Sequence, residues 1–176
     1  MFRAISVCFS RYFTFSGRAR RPEYWWFVLF VVVVSGILAL IDSALFGPPG
    51  DEKGDQTGPL QGLFQLVTFI PMLAAGWRRM HDTGRTGWLL LLPVMVSVAL
   101  VFVLIFGVAL FGVTHEVAGG AASPEEAGAL GISLGMAALG GIALIVVYVL
   151  MIWWLTRPTE PQDNRFGPVP PEWGRG

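Results

Sequence analysis

The stretch from Tyr24 to Phe46, YWWFVLFVVVVSGILALIDSALF, decides the architecture. It is apolar on every face of a helix, and its only charged residue is Asp42. At 1.5 Å rise per residue it reaches about 34 Å, enough to cross a hydrocarbon core of about 30 Å. A soluble amphipathic helix would need a polar face, and none is present.

Three further runs have the same character: Leu60–Trp77, Trp88–Val113 and Leu130–Leu155. The shortest spans about 27 Å, just adequate for a bilayer. Apolar residues make up 54% of the 176 and charged residues only 14%, well below the roughly 25% of a soluble domain. The expected fold class is an all-α membrane protein, a four-transmembrane-helix bundle over 24–155. Residues 1–23 form a segment at the inner interface and 156–176 an extended tail. The first long apolar run is too long for a signal-peptide core and has no cleavage site behind it, so no secretory leader is expected.

Charge placement orients the chain. Eleven arginines fall before the first run (Arg3, Arg11, Arg18, Arg20, Arg21), between the second and third (Arg78, Arg79, Arg85) or in the tail (Arg157, Arg165, Arg175). Lys53 alone lies on the other side, among Asp51, Glu52 and Asp55 in one loop, with Glu116, Glu125 and Glu126 in the other. The positive-inside rule therefore predicts both termini in the cytoplasm. Six of the seven tryptophans, Trp25, Trp26, Trp77, Trp88, Trp153 and Trp154, stand at that boundary, where an amphipathic indole is best accommodated.

Ahead of the first run, Phe2, Ile5, Phe9 and Tyr12–Phe13 recur at helical spacing, predicting a short amphipathic helix lying in the interface and ended by Gly17. Pro71 and Pro93 predict kinks in the second and third membrane helices. In the fourth, Ala129, Ser133, Ala137 and Gly141 recur every four residues beside Gly131 and Gly135. This predicts a packing face formed by Gly131, Gly135, Ala137 and Gly141.

Few residues suggest chemistry. Gly131-Ile132-Ser133-Leu134-Gly135 fits the Gly-x-Ser-x-Gly pattern of hydrolases, but lacks the strand-to-helix turn that pattern requires. Asp42, an intramembrane carboxylate, lies close enough to the outer surface for a structural role, with a proton or ion role as the alternative. His81–Asp82 has no third ligand at metal spacing. Cys8, the lone cysteine, excludes an internal disulfide and a thiolate cluster. No cofactor or metal motif is present. A net charge of zero argues against a nucleic-acid partner.

The cytoplasmic face is richer. Phe15-Ser16-Gly17-Arg18-Ala19-Arg20-Arg21-Pro22-Glu23-Tyr24-Trp25 leads into the first run, and Arg78-Arg79-Met80-His81-Asp82-Thr83-Gly84-Arg85-Thr86-Gly87-Trp88 forms the second loop. The tail contains Asn164-Arg165-Phe166-Gly167-Pro168-Val169-Pro170. These three motifs, in this order, resemble the "domain of unknown function 805" family of small bacterial inner-membrane proteins, over almost the whole chain. The resemblance implies a four-helix inner-membrane protein and brings no activity or cofactor. The loop Thr114–Gly128 looks peculiar to this member.

Independently of the family, all three motifs lie on one side of the membrane. They are expected to meet in a polar cap of Arg18, Arg21, Glu23, Arg78, Arg79, His81, Asp82, Asn164 and Arg165, with Arg20 left on a solvated face. The leading expectation is a non-enzymatic protein whose basic face engages anionic lipid head groups, a protein partner or a second copy of itself. A small transporter or channel subunit is the first alternative, although Ser97, Ser133, Tyr148, Gln61, Gln65 and Asp42 make no continuous polar path. A lipid-modifying enzyme using His81 or Asp82 as acid or base is the second.

Overall fold

A computed structural model of the chain describes residues 1–47, 58–117 and 124–170. The acidic residues Asp51, Glu52 and Asp55, with Lys53, and Arg175 in the tail lie outside them. The described residues are helical apart from turns and the tail: α1 (Phe2–Ser10), α2 (Arg21–Phe46), α3 (Pro59–Asp82), a 3-10 turn (Gly87–Leu91), α4 (Leu92–Val117) and α5 (Pro124–Thr156). Four helices are long and apolar enough to cross a membrane. The chain divides into two units, Met1–Gly87 with Trp154–Gly176, and Trp88–Trp153.

In the first unit, α2 starts where Pro22, with its preset φ and no N–H to satisfy, occupies the first turn. It ends at Gly47, whose φ of 94° only glycine adopts readily. The hairpin partner α3 starts at Pro59, and its first-turn N–H groups need acceptors that Gly58 cannot supply. Asp42 of α2 supplies them: its carboxylate accepts from Leu60 N at 3.2 Å and Gln61 N at 2.8 Å. Asp42 is therefore a cap for the neighbouring helix, buried at 3% exposure. A Cβ on Gly58 would collide with the Asp42 side chain, which explains the glycine.

Helix α1 does more than lie in the interface. Cys8 packs with Phe27 of α2 and Ala75 of α3, with Ile5, Phe9, Phe30 and Met72 around them. Phe9 meets Phe27 edge to face at 5.5 Å. The helix ends at Ser10 rather than at Gly17, which sits farther on in the loop with φ 84°.

Pro71 lies inside α3 as expected. Lacking an N–H, it leaves the Val67 carbonyl without its helical donor. The Tyr12 hydroxyl donates to that oxygen at 2.6 Å. Pro93 differs from expectation. It is the second residue of α4, preceded by the 3-10 turn, so it begins a helix instead of kinking one.

Helices also outrun their apolar segments. α3 continues to Asp82, α4 reaches Val117 (taking in Glu116 and His115), and α5 begins at Pro124. Hydropathy marks where lipid stops, whereas backbone hydrogen bonding continues until a residue such as Gly84, φ 71°, breaks it.

Within the second unit, and among the described residues, the glycines of the small-residue stripe touch no neighbouring helix. A Cβ built on Gly131, Gly135 or Gly141 meets nothing within 4 Å, whereas one on Gly140 would collide with the Leu100 side chain of α4.

Candidate functional site: an arginine-rich cap

The last turn of α3 carries Arg78, Arg79, His81 and Asp82, all buried. Part of what reads as a loop is therefore helix, which puts Arg79 and Asp82 three residues apart on one face. Asp82 is the first ionic centre. One carboxylate oxygen accepts from Arg18 Nε at 3.1 Å and the other from Arg79 Nη1 at 2.5 Å, and all three side chains have 0% exposure. Glu23, in the first turn of α2, is the second centre and accepts from Arg78 Nη2 at 3.1 Å. The expected cap is thus two adjacent ion-pair centres rather than one shared pool.

Apart from Arg78 Nε, which is buried without a hydrogen-bond partner among the described residues, the remaining donors of these guanidiniums go to main-chain oxygens. Arg18 donates through Nη1 to Gln162 O at 2.8 Å and Gly167 O at 3.4 Å, and through Nη2 to Glu160 O at 2.6 Å. Arg79 donates through Nε to Leu155 O at 3.1 Å and through Nη2 to Arg157 O. It thereby caps the carbonyl end of α5, where a cation also opposes the helix dipole. Arg78 Nη1 donates to Arg11 O at 3.2 Å and Thr14 O at 2.9 Å, tying down the chain behind α1. Planar, multidonor guanidinium suits such a junction better than an ammonium would.

The terminal carbonyls of α3 are consumed in turn. Ala19 N donates to Arg78 O, Glu160 N to Asp82 O, and Arg85 N to Met80 O. Asn164 Nδ2 donates to His81 O at 3.0 Å and to Glu160 Oε2 at 2.7 Å. Asn164 and Gly167 exchange two backbone hydrogen bonds in a tight reversal, with Gly167 at φ 136°. That reversal lays Phe166 flat on His81, centroids 3.9 Å apart and planes 5° from parallel. His81 Nδ1 contacts Gly17 O at 3.1 Å. A carbonyl can only accept, so the ring proton sits on Nδ1.

Of the nine expected cap residues, Arg18, Glu23, Arg78, Arg79, His81, Asp82 and Asn164 come together. Arg21 and Arg165 do not. Arg21 is exposed and, among the described residues, hydrogen-bonds only Thr156 O at 3.4 Å, while Arg165 is exposed with its guanidinium 4.7 Å from the Phe166 ring. Arg20, expected on a solvated face, is half-buried and donates twice to Pro170 O, at 2.8 and 2.5 Å. Glu160 and Phe166 also take part unannounced. Cys8 lies beneath the cap, where burial and the neighbouring Glu23 carboxylate push its thiol up to about 12. Ser133 stands within α5, in continuous helix with no strand-to-helix turn.

A family profile described as "Protein of unknown function (DUF805)" matches residues 12–168. The chain is 34% identical over 95 residues to inner membrane protein YhaH of Escherichia coli (strain K12), covering 54% of this chain and 75% of YhaH. It is 44% identical over 81 residues to inner membrane protein YhaI of the same organism, covering 46% of this chain and 62% of YhaI. No solved structure matches it significantly. Four apolar spans and inner-membrane relatives make this a multi-pass inner-membrane protein.

Proposed function

The chain belongs to the DUF805 family, and from that membership and the cap geometry we propose a non-enzymatic inner-membrane protein with its arginine-bearing end in the cytoplasm. There the buried arginines lock the fold and the exposed ones hold anionic lipid head groups. One observation carries the proposal: beside the half-buried Arg20 and Arg85, the described arginines form two contrasting sets. Arg18, Arg78 and Arg79 have side-chain exposures of 0% and spend their donors on Asp82, Glu23 and seven carbonyls. Arg3, Arg11, Arg21, Arg157 and Arg165 are exposed.

The buried set has little left to offer a phosphoryl substrate, and His81 lies under Phe166 with its proton committed to Gly17. Both facts favour a structural cap over a lipid-modifying centre. Each exposed arginine near an anionic leaflet contributes about 1 kcal/mol of attraction, which salt weakens.

Orientation is tested by cysteines at Lys53, Ser123, Thr83 and Gln162. An impermeant thiol reagent on intact cells should label the first two and spare the others. For the lipid, protein reconstituted in mixed phosphatidylglycerol–phosphatidylcholine vesicles should enrich labelled phosphatidylglycerol, read by energy transfer from tryptophan. The enrichment should fall with added salt and with glutamine at Arg3, Arg11, Arg157 and Arg165. Enrichment indifferent to all four substitutions would refute the lipid role.

A further inference from the structure

The geometry points to a discrete site for one anionic phospholipid on the first two turns of α2, a refinement that rests on the lipid reading above. Arg21, Pro22, Trp25, Trp26 and Leu29 line an open recess of about 430 Å³. Arg21, Trp25 and Leu29 stand four residues apart on one stripe, with Pro22 and Trp26 on the next. The recess therefore runs about 12 Å along the helix, from the charged start of a membrane span into its apolar part.

Its chemistry changes along that length in the order of a phospholipid. At the polar end, Arg21 has a single 3.4 Å hydrogen bond, to Thr156 O, which leaves guanidinium donors for a phosphate. The acidic residue of the same turn, Glu23, is turned inward to Arg78 and does not compete. At the middle, the Trp25 indole is fixed by donating to Leu155 O at 3.3 Å and by an edge contact with Tyr24, so the wall is formed in advance. Trp25, Trp26 and Leu29 remain 37%, 42% and 45% exposed, an apolar surface suited to the ester region and an acyl chain. A soluble anion would use Arg21 and leave that wall bare. A lipid uses both ends.

The test uses the full chain in detergent micelles, with native mass spectrometry counting retained lipid and brominated-chain phosphatidylglycerol quenching tryptophan emission. The wild type should retain one phosphatidylglycerol in preference to phosphatidylcholine. Arg21→Ala should weaken retention about tenfold, as loss of a charge-assisted contact implies. Arg165→Ala, an equal loss of charge outside the recess, should weaken it less than about twofold, because a micelle has no anionic leaflet and an exposed charge away from the phosphate is screened. Trp26→Ala should weaken retention and quenching while keeping head-group preference. Millimolar glycerol 3-phosphate should not displace the lipid. Equal effects of Arg21→Ala and Arg165→Ala, or displacement by glycerol 3-phosphate, would overturn the site. If vesicle enrichment of phosphatidylglycerol persists in that case, only the discrete site fails; if enrichment is absent too, the broader lipid reading fails with it.

Discussion

Replacing Asp82 with alanine removes the only carboxylate that Arg18 Nε and Arg79 Nη1 share, in a place where all three side chains have no exposure. Breaking one partner out of a buried pair costs about 3–5 kcal/mol, because the surviving charges stay desolvated. Here the survivors keep carbonyl partners, at Glu160, Gln162 and Gly167 for Arg18 and at Leu155 and Arg157 for Arg79. That places the expected loss near the lower bound, about 3 kcal/mol. Arg20→Ala is the matched comparison. It gives up two half-buried hydrogen bonds to one oxygen, worth about 1 kcal/mol.

For a chain of this size each kcal/mol moves a thermal midpoint by roughly 2–4 °C. Tryptophan-detected melting in a fixed detergent should therefore show Asp82→Ala lowered by roughly 6–12 °C and Arg20→Ala by roughly 2–4 °C. Asp82→Asn, which keeps an acceptor and loses the charge, should fall between. A triple change to Arg18→Met, Arg79→Met and Asp82→Leu removes every buried charge of this centre. It should still not recover stability, because the carbonyls of Glu160, Gln162 and Arg157 would lose the guanidiniums that donate to them, whereas Leu155 O keeps Trp25 Nε1 and Gly167 O keeps Asn164 N. Asp82→Ala and Arg20→Ala midpoints within about 2 °C of each other would refute the idea that Asp82 holds this end together.

Other parts of the fold make separate predictions. Asp42→Ala orphans the Leu60 and Gln61 N–H groups and should cost about 1–2 kcal/mol in the same melting assay. Tyr12→Phe should cost about 1 kcal/mol alone and much less in a Pro71→Ala background, where an alanine N–H can reach Val67 O; additive losses would sever the link between Tyr12 and the proline. Gly140→Leu should destabilise by about 1–3 kcal/mol through Leu100, while Gly135→Leu should stay within about 0.5 kcal/mol; the reverse order would restore the regular stripe as the packing face. Cys8, buried and with its thiol pushed up to about 12, should resist a permeant maleimide until the protein is unfolded in dodecyl sulfate; rapid labelling of folded protein would mean that α1 does not stay seated.

The readable and unreadable parts of the sequence separate along one physical line. Hydropathy over twenty residues is a local sum, so the four spans stood out. The glycines and prolines that bound α2 and α3 are local too. Glu23 and Asp82 could be picked as the anions of the arginine motifs because opposite charges in a desolvated region must pair. Which arginine takes which acid was not readable, and neither was the role of Arg20, because most partners of these guanidiniums are backbone carbonyls. Every residue carries that oxygen, so sequence cannot distinguish the carbonyls of Leu155 or Pro170 from any others. The Tyr12–Val67 bond had half a signal: Pro71 advertises a donorless carbonyl four residues earlier, but nothing local names the hydroxyl that fills it.

Recognition through carbonyls also has a consequence for how this cap can diverge among family members. Arg18 and Arg79 grip Leu155, Arg157, Glu160, Gln162 and Gly167 by main chain alone, so most of those side chains can change without loosening the grip. Constraint concentrates where a side chain or a dihedral does the holding. Asn164 bonds both His81 O and Glu160, Gly167 turns at positive φ, and Phe166 covers the His81 ring. Gly84 faces the Glu160 carboxylate at about 3.2 Å from where a Cβ would stand. Three tail residues of one turn, Asn164, Phe166 and Gly167, and a glycine opposite therefore carry what the tail must encode, while the arginines supply the rest from α3 and the segment before α2. Tail segments that keep this turn and its spacing from α5 can close the cap, and those that shift the turn by one residue cannot, because the three carbonyls that Arg18 grips would leave the reach of its donors.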